Sequence, residues 1–339
     1  MKAIAKTRPA PGAELIETPV PRPGEGELLV KIAACGICGS DLHIYEWELG
    51  AERAVGKLPA VLGHEPAGEV VEVGARVDGF KAGDRVALDP FGQCGRCAQC
   101  TAGRYNYCDA PTRLSGAFAE FCIAPVTNSW LVPKSMDMES AAMLEPFATG
   151  VHAVELSRLH AGDSAVIEGP GPIGLSAALS ARTLGVSSIV VTGLEADADR
   201  LQLARRMGFR TVCASDRDWL EQVRGAMPPG GADVVFDAAG ALDSAGHIVR
   251  KGGALVQLGW PARDVSGAEL RSLFFHGVSL IPSRVRTPET WRRAITMVAS
   301  GAVDLKPMVT HRYDLDHGLE AFELLKARQG VKALIMPQA

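Results

Sequence analysis

Residues 165–174 read AVIEGPGPIG, an apolar strand that runs into a turn with three glycines. In a chain with 37 glycines the G-x-G-x-x-G spacing also arises by chance, so its place between a strand and a helix is what matters. The first glycine permits the tight turn, the second lets the backbone approach a pyrophosphate, and the third packs the helix on the strand. A proline suits the first helical turn, whose free N–H groups bind phosphates. The pattern favours dinucleotide binding over a purely structural turn, through Gly169, Gly171, Pro172, Ile173 and Gly174.

Strands alternate with helix-length segments after this turn. The later apolar runs lie at 189–191, 234–236 and 254–256, and the helices between them are predicted at 173–184 and 200–207. This alternation is typical of a parallel sheet with helices on both faces. We therefore predict an α/β fold class, with a doubly wound parallel sheet in the middle of the chain.

The flanking segments have a different pattern. Residues 1–133 carry short apolar runs cut by Gly and Pro, which predict strands and turns with little helix. A helical pattern follows at 140–156. After about residue 284, a helix at 291–299 and two short apolar segments are interpreted as a return of the chain to this β-rich domain.

The acidic residue that commonly accepts a hydrogen bond from the adenosine ribose is missing from its usual position in the sequence. About 20 residues after the turn, where it is expected, the chain has Gly193. A glycine leaves room for the 2'-phosphate of NADP, but Glu195 and Asp197 would repel that phosphate. We therefore expect NAD, with NADP as the alternative, and predict that Glu195 and Arg200 contact the cofactor.

Four cysteines with the spacing C-x2-C-x2-C-x7-C indicate a metal site. Zn2+ accepts four sulfurs in a closed tetrahedron, and the short loops between these cysteines can wrap it. A bacterial iron–sulfur motif has a shorter last gap and a proline where this chain has Asp109. Two disulfides are another interpretation of the four cysteines, but they would need an oxidising compartment. The predicted structural zinc ligands are Cys94, Cys97, Cys100 and Cys108.

Composition narrows the classes of function. The chain has 339 residues, 47% hydrophobic and 22% charged, with a formal net charge of -4, which is not the pattern of a nucleic-acid-binding protein. No apolar stretch is long enough for a membrane span. Residues 1–9 lack the apolar core of a secretory signal, so we expect a cytoplasmic protein with reduced thiols.

A second metal site is predicted at Cys38, His64 and Glu65. Together a thiolate, an imidazole and a carboxylate bind zinc and leave one coordination position open, as a catalytic site requires. Taken singly, such residues are more often a small core residue or a hydrogen-bonded histidine. Their joint occurrence favours the metal site.

The chain resembles the zinc-containing medium-chain dehydrogenases, in the branch of the sorbitol and threonine dehydrogenases. The resemblance rests on ordered blocks along nearly the whole chain: CGICGSDLH at 35–43, GHE at 63–65, the four-cysteine segment, GAFAE at 116–120, Glu145-Pro146, and the glycine-rich turn. It implies an alcohol dehydrogenase with two zinc ions per subunit. It also implies a GroES-like catalytic domain, formed by residues 1–145 and 286–339, and a Rossmann domain at 146–285, with the active site between them.

The resemblance also implies the ligands of the catalytic zinc, which are Cys38, His64 and Glu65, with Glu145 in place of the cysteine of classical alcohol dehydrogenases. Whether Glu65 or Glu145 contacts the metal is left open. It further implies a homodimer or a homotetramer. The arginine that holds the pyrophosphate in classical members is replaced by Gly39.

A proton relay is predicted beside this zinc. Ser40 is placed to accept the proton of the substrate hydroxyl and His43 to pass it to solvent, while Asp41 orients His64. Glu145 is a further predicted catalytic residue. A turn or helix cap is the structural alternative for Ser40 and Asp41.

The expected substrate is a small secondary alcohol, polyol-, sugar- or cyclitol-like, with L-threonine as the alternative. Tyr45, Glu46 and Glu145 are candidate hydroxyl partners, and Arg284 or Arg286 is a candidate clamp for an amino acid carboxylate. Two other interpretations compete with an alcohol dehydrogenase. One is a zinc-free quinone or enoyl reductase, and the other is a protein that binds the dinucleotide without turnover.

Overall fold

The computed structural model describes residues 1–48, 50–260, 264 and 266–337. The chain divides into two compact units. The first unit combines Met1–Glu145 with Asp304–Ala339, and the second is Pro146–Val303. Among the described residues, no helix has the length and apolar character that crossing a membrane requires.

Sixteen strands and twelve α-helices are defined in this part of the chain. The strands are β1 (Lys2–Lys6), β2 (Glu14–Glu17), β3 (Glu27–Gly36), β4 (Ala60–Val61), β5 (Glu65–Val73), β6 (Arg85–Leu88), β7 (Phe121–Pro125), β8 (Ser129–Leu131), β9 (Ser164–Glu168), β10 (Ser188–Gly193), β11 (Arg210–Cys213), β12 (Ala232–Asp237), β13 (Val249–Gln257), β14 (Ser279–Pro282), β15 (Val309–Tyr313) and β16 (Lys332–Ile335). The helices are α1 (Gly39–Tyr45), α2 (Ala51–Val55), α3 (Ala98–Thr101), α4 (Met138–Ala142), α5 (Leu144–Ser157), α6 (Pro172–Thr183), α7 (Ala198–Arg206), α8 (Trp219–Arg224), α9 (Leu242–Ile248), α10 (Gly267–His276), α11 (Pro288–Ala299) and α12 (Gly318–Lys326).

A mainly antiparallel sheet forms the framework of the first unit. Its strand order is β15-β16-β3-β5-β6-β8, β7 also pairs with β3, and a smaller sheet has the order β2-β1-β4. Leu334 pairs with Gly36 and Ile335 with Cys35, so the last strand lies directly beside the third. The core draws on both ends of the chain, since Ile4 and Phe118 pack in one cluster with Phe322. This pairing places the C-terminal residues next to the segment that carries Cys38.

A six-stranded parallel sheet forms the framework of the second unit. Its order is β11-β10-β9-β12-β13-β14, and each neighbouring pair is parallel. β9 is fully buried, which explains its continuous apolar run. The strand order reverses between β9 and β12, and ligands of such sheets bind at the carboxyl ends of the strands beside the reversal. The predicted α/β fold class, a β-rich unit plus a doubly wound parallel sheet, is confirmed.

The predicted domain boundary at residue 286 is too early, because the second unit extends to Val303. The helix that was interpreted as part of the first domain, α11, packs on α5 instead. Thr290 Oγ1 donates to Glu155 Oε2 at 2.7 Å, and Arg293 Nη1 lies 2.6 Å from Glu155 Oε1. Trp291 is buried in the same region. These contacts keep α11 in the second unit.

Candidate functional site

Cys38 lies where a helix follows a strand. β3 ends at Gly36, and Cys38 is the N-cap residue of α1. Its backbone N–H donates to Asp41 Oδ2 at 3.0 Å, which ties the helix start to its first turn. Ser40 and His43 lie on the same short helix. The local fold therefore fixes the predicted ligand and both predicted relay residues on one element.

His64 and Glu65 reach this segment through strand pairing. β5 begins at Glu65 and runs antiparallel to β3, with Glu65 opposite Gly36. Gly63, just before His64, has a φ of 92°, in the left-handed region that glycine adopts without strain. The sheet register thus brings the CGICGSDLH and GHE blocks together.

Cys38, His64 and Glu65 form a compact set of donor atoms. Each residue offers one ligand atom, and these atoms lie within 4.8 Å of one another. His64 Nδ1 is 3.2 Å from Asp41 Oδ1, the contact that the sequence interpretation requires of Asp41. Because Nδ1 faces that carboxylate, Nε2 is the nitrogen that remains for a metal, and Ser40 Oγ lies 3.5 Å from it.

The neighbours of His64 favour its charged form. Burial lowers the pKa of His64, but Asp41 and Cys38 outweigh burial and raise that pKa well above the ordinary value of 6.5. Only the neutral imidazole binds a metal. A metal ion therefore competes with a proton at His64.

Glu65 takes part in a buried ion pair. Lys332 Nζ lies 2.6 Å from Glu65 Oε2 and donates to the carbonyl of Ile37 at 2.9 Å, and the side chains of Glu65 and Lys332 are 0% and 1% exposed. Glu65 Oε1 is also buried and has no hydrogen-bond partner among the described residues. A buried carboxylate oxygen without a partner is costly, and a divalent cation would satisfy it. With a thiolate and an imidazole beside it, the set fits Zn2+.

Lys332 is a residue of this site that the sequence analysis missed. It lies in β16, between the buried apolar residues Val331 and Ala333, and no motif marks it. A lysine inside an apolar strand is the only signal that could have identified it. Burial lowers the pKa of Lys332, but Glu65 and Cys38 raise it, so that pKa lies above 10.5.

Glu145 lies near the donor set but is not part of it. It is a buried residue in the first turn of α5. Its charge contributes to the raised pKa of Lys332, yet the group of donor atoms within 4.8 Å does not include its carboxylate. The structure thus brings together three of the four predicted ligands of this zinc.

His43 lies at the exposed end of the predicted relay. Its Nδ1 is 2.5 Å from Glu48 Oε2, and both side chains are more than half exposed. Nε2 is left as the second ring nitrogen, and the ring is open to solvent. This position suits the predicted transfer of a proton to water.

Tyr45 and Glu46 are engaged elsewhere in the first unit, which contradicts their interpretation as substrate partners. The Tyr45 hydroxyl donates to Glu323 Oε1 at 2.8 Å, and Lys326 Nζ lies 2.6 Å from Glu46 Oε1. Both contacts join the end of α1 to α12. These residues anchor the C-terminal helix.

Arg286 is also engaged, within the second unit. The residue is 6% exposed, and its Nη1 donates to Thr149 Oγ1 at 3.3 Å. A buried arginine in contact with α5 supports the packing of this unit. It is a poor candidate for a carboxylate clamp.

The four cysteines of the second predicted zinc site converge. Their ligand atoms lie within 4.8 Å of one another, and two Sγ–Sγ distances are 4.0 Å. A disulfide has an S–S distance of about 2.0 Å, whereas four sulfurs about 2.3 Å from a zinc ion are about 3.8 Å apart. Backbone N–H groups of Arg96 and Cys97 lower the pKa of Cys94 to about 6, which favours the thiolate, whereas burial raises the pKa of Cys100 to about 12, which favours the thiol. The arrangement fits a closed tetrahedral zinc site, with the ligands Cys94, Cys97, Cys100 and Cys108.

The glycine-rich turn has the geometry that a pyrophosphate needs. Gly169 follows β9 with a φ of 100°, and Gly171 is the N-cap residue of α6. A Cβ atom at Gly171 would meet no protein atom within 4 Å, so the space above this backbone is open. A Cβ at Gly174 would overlap the carbonyl oxygen of Gly169, which explains the third glycine. Pro172 and Ile173 form the first turn of α6, where free N–H groups lie.

The end of β10 gives Gly193 a packing role that the sequence did not show. A Cβ at Gly193 would lie 2.8 Å from Pro170 Cγ, so packing against the turn requires a glycine there. Glu195 is exposed two residues beyond the strand, and its predicted contact with the ribose stays a prediction. Arg200 Nη1 lies 3.6 Å from Asp197 Oδ1, which fixes that guanidinium beside the same short turn.

Comparison with protein families agrees with this geometry. Residues 24–134 match the family described as the alcohol dehydrogenase GroES-like domain, and residues 172–300 match the zinc-binding dehydrogenase family. The chain is 36% identical to the L-threonine 3-dehydrogenase of Thermococcus kodakarensis, over 99% of this chain and 98% of the relative. It is 37% identical to the sorbitol dehydrogenase of Bacillus subtilis, over 95% and 94%.

Solved structures show the same architecture. A structure from Sinorhizobium meliloti, described as a zinc-binding dehydrogenase bound to NADP, superposes with a TM-score of 0.89 at 33% identity and covers 99% of both chains. The galactitol-1-phosphate dehydrogenase of Escherichia coli superposes with a TM-score of 0.88 at 25% identity, over 99% of this chain and 100% of that one.

Proposed function

The chain belongs to the zinc-containing alcohol dehydrogenase family of oxidoreductases, and we propose that it oxidises a secondary alcohol on a polyol-, sugar- or cyclitol-like substrate. The observation that carries the proposal is the donor set of Cys38, His64 and Glu65, in which Glu65 Oε1 is buried without a partner. When bound, zinc acts as a Lewis acid on the substrate hydroxyl and NAD accepts a hydride.

The chain's own residues would position the substrate and move its proton. Ser40 Oγ, 3.5 Å from His64 Nε2, lies beside the donor set and is the first acceptor of the hydroxyl proton. His43, one helical turn further along α1, carries that proton to solvent from its exposed ring. Glu145, buried next to this set, is proposed as a fourth ligand or a substrate partner.

The choice of substrate rests on the polar groups near the donor set. Tyr45 and Glu46 are engaged in packing, which leaves Glu145 as the candidate hydroxyl partner beside the donor set. Arg286 is engaged with Thr149, which leaves the exposed Arg284 as the candidate carboxylate clamp. L-Threonine is the second candidate, since relatives named as L-threonine 3-dehydrogenases are as similar as the sorbitol dehydrogenases.

NAD is the proposed cofactor because the exposed Glu195, two residues beyond the end of β10, would repel a 2'-phosphate bound there. The S. meliloti structure contains NADP, so NADP stays the alternative. The cytoplasm is the proposed compartment, because both metal sites require reduced thiols.

A homodimer is the proposed assembly, formed through the open edge of the parallel sheet. The sheet has two edge strands, β11 and β14; β11 begins with Arg210, whereas residues Ser279, Leu280 and Ile281 of β14 carry no charge that would block pairing. The helix just before it, α10, exposes 78% of Phe274 and 77% of Phe275. A second copy, related by a two-fold axis, would pair antiparallel with β14 and cover these rings.

Steady-state rates on a panel of polyols, sugars and L-threonine, each with NAD and with NADP, test the proposal. We expect the highest kcat/KM on a polyol-like substrate with NAD. Activity confined to long primary alcohols would contradict both candidate substrates, and freshly purified protein without zinc would favour a zinc-free reductase.

A Cys38→Ser variant tests the metal site itself. Loss of the thiolate should abolish turnover and leave the affinity for NAD nearly unchanged, because the glycine-rich turn belongs to the second unit. Unchanged turnover would contradict the proposal.

A further inference from the structure

We infer that Lys332 is a positioning residue, which occupies one oxygen of Glu65 and leaves the other oxygen of that carboxylate available to a metal. Lys332 Nζ is 2.6 Å from Glu65 Oε2, whereas Glu65 Oε1 is buried with no hydrogen-bond partner among the described residues. The inference rests on the proposed function, since it concerns the same donor set.

The ammonium group also links the two segments that carry the ligands. Besides Glu65 it binds the carbonyl oxygen of Ile37, the residue before Cys38, at 2.9 Å. Gly36 contributes the space: a Cβ atom there would overlap Glu65 Oε2. Glu65 Oε2 thus lies in a cradle formed by Gly36, the Ile37 carbonyl and Lys332, and this cradle fixes the rotation of the carboxylate.

The fixed orientation of the Glu65 carboxylate decides how many of its oxygens can bind a metal. A carboxylate binds a cation through one oxygen or through both. A catalytic zinc site needs an open coordination position for substrate. If Glu65 bound the metal through both oxygens, the second oxygen would fill that position. By holding Oε2, Lys332 prevents that and also balances the buried charge of Glu65.

Cobalt substitution with a Lys332→Met variant tests this role. Methionine is one atom shorter than lysine, keeps its unbranched apolar stem and removes the ammonium, which frees both oxygens of Glu65. Four-coordinate Co2+ absorbs visible light more strongly than five- or six-coordinate Co2+, and a difference spectrum against wild type cancels the cobalt held by Cys94, Cys97, Cys100 and Cys108. We expect weaker absorption, slower removal of cobalt by a chelator, and kcat lower by about 10- to 100-fold. Lys332→Arg should restore most of the wild-type spectrum.

Two further variants separate this role from a general loss of stability. Lys6→Met removes another fully buried lysine, which binds the carbonyl oxygens of Ala10, Gly12 and Tyr45 and no carboxylate of the described residues, so its cobalt spectrum should equal that of wild type. Gly36→Ala displaces Glu65 Oε2 without removing a charge, so it should show the same spectral change as Lys332→Met. It therefore tests the inference even if Lys332→Met does not fold.

Two results would overturn the inference. One is a folded Lys332→Met protein with the wild-type spectrum. The other is a folded Lys332→Met protein that no longer binds cobalt at Cys38, His64 and Glu65, because Lys332 would then be needed for metal binding itself and not for the number of Glu65 oxygens that bind. Neither result affects the proposed function, which is tested by the zinc content and the substrate rates of the wild-type enzyme.

Discussion

The orientation of His64 depends on a single carboxylate, Asp41, which is 1% exposed and 3.2 Å from His64 Nδ1. Asp41→Asn keeps an acceptor of similar shape and removes the charge that supports the ring. We expect the affinity for zinc to fall about 10- to 100-fold, as measured by competition with a chromophoric chelator. Asp84→Asn is the matched control, because Asp84 Oδ2 accepts the N–H of Lys81 at 2.9 Å and Asp84 does not belong to the donor set, so this change should leave the affinity unchanged.

The raised pKa of His64 also predicts a pH dependence. In the metal-free protein, the charged imidazole stabilises the fold fully below pH 6.5, and this contribution is lost as pH rises through the raised pKa of the folded state. Zinc replaces that proton, so the zinc-loaded protein should not lose this contribution. Thermal unfolding midpoints of the two forms should therefore diverge as pH rises above 6.5, and parallel curves would contradict the assignment.

At this scale the sequence predicts residues that lie in contiguous motifs. Cys38, His64 and Glu65 were identifiable because each belongs to a short block with metal-ligand chemistry. Lys332 was not, since it reaches Glu65 only through the pairing of β16 with β3, a contact between residues 267 positions apart. Local patterns carry no information on such a partner.

Among the helices, the contact of α5 with α11 depends on Glu155. Its carboxylate accepts from Thr290 and pairs with Arg293, and although burial raises its pKa, His152, Thr290 and Arg293 lower it below the ordinary 4.5. A lowered pKa stabilises the fold above pH 4.5, and the contribution is lost as pH falls through the folded value.

Glu155→Gln should therefore lower the free energy of unfolding at pH 7 by about 1–3 kcal/mol, as measured by urea denaturation. The difference from wild type should shrink as pH falls below 4.5. Glu289→Gln, at an exposed residue whose ion pair with Arg292 spans 3.6 Å, is the control and should cost less than about 0.5 kcal/mol.

Periodicity predicted the elements of this chain better than it predicted the domain boundary. The strands at 165–167, 189–191 and 234–236 lie within β9, β10 and β12, because buried parallel strands are continuously apolar. The amphipathic pattern of α11 shows that the helix packs, but not on which unit. The buried contact of Thr290 with Glu155 decides that, and it joins residues far apart in the sequence.

For the whole molecule, the open edge at β14 predicts the state of association. Leu280→Lys places a charge on the strand that would pair with a second copy, which is how natural edge strands avoid association. We expect wild-type protein to sediment as a dimer at micromolar concentration and the Leu280→Lys variant to sediment as a monomer. Leu131→Lys makes the same change on β8, an edge strand of the first unit, and should leave the dimer intact. A monomeric wild type, or a Leu280→Lys variant that stays dimeric, would show that the exposed rings of Phe274 and Phe275 serve another contact.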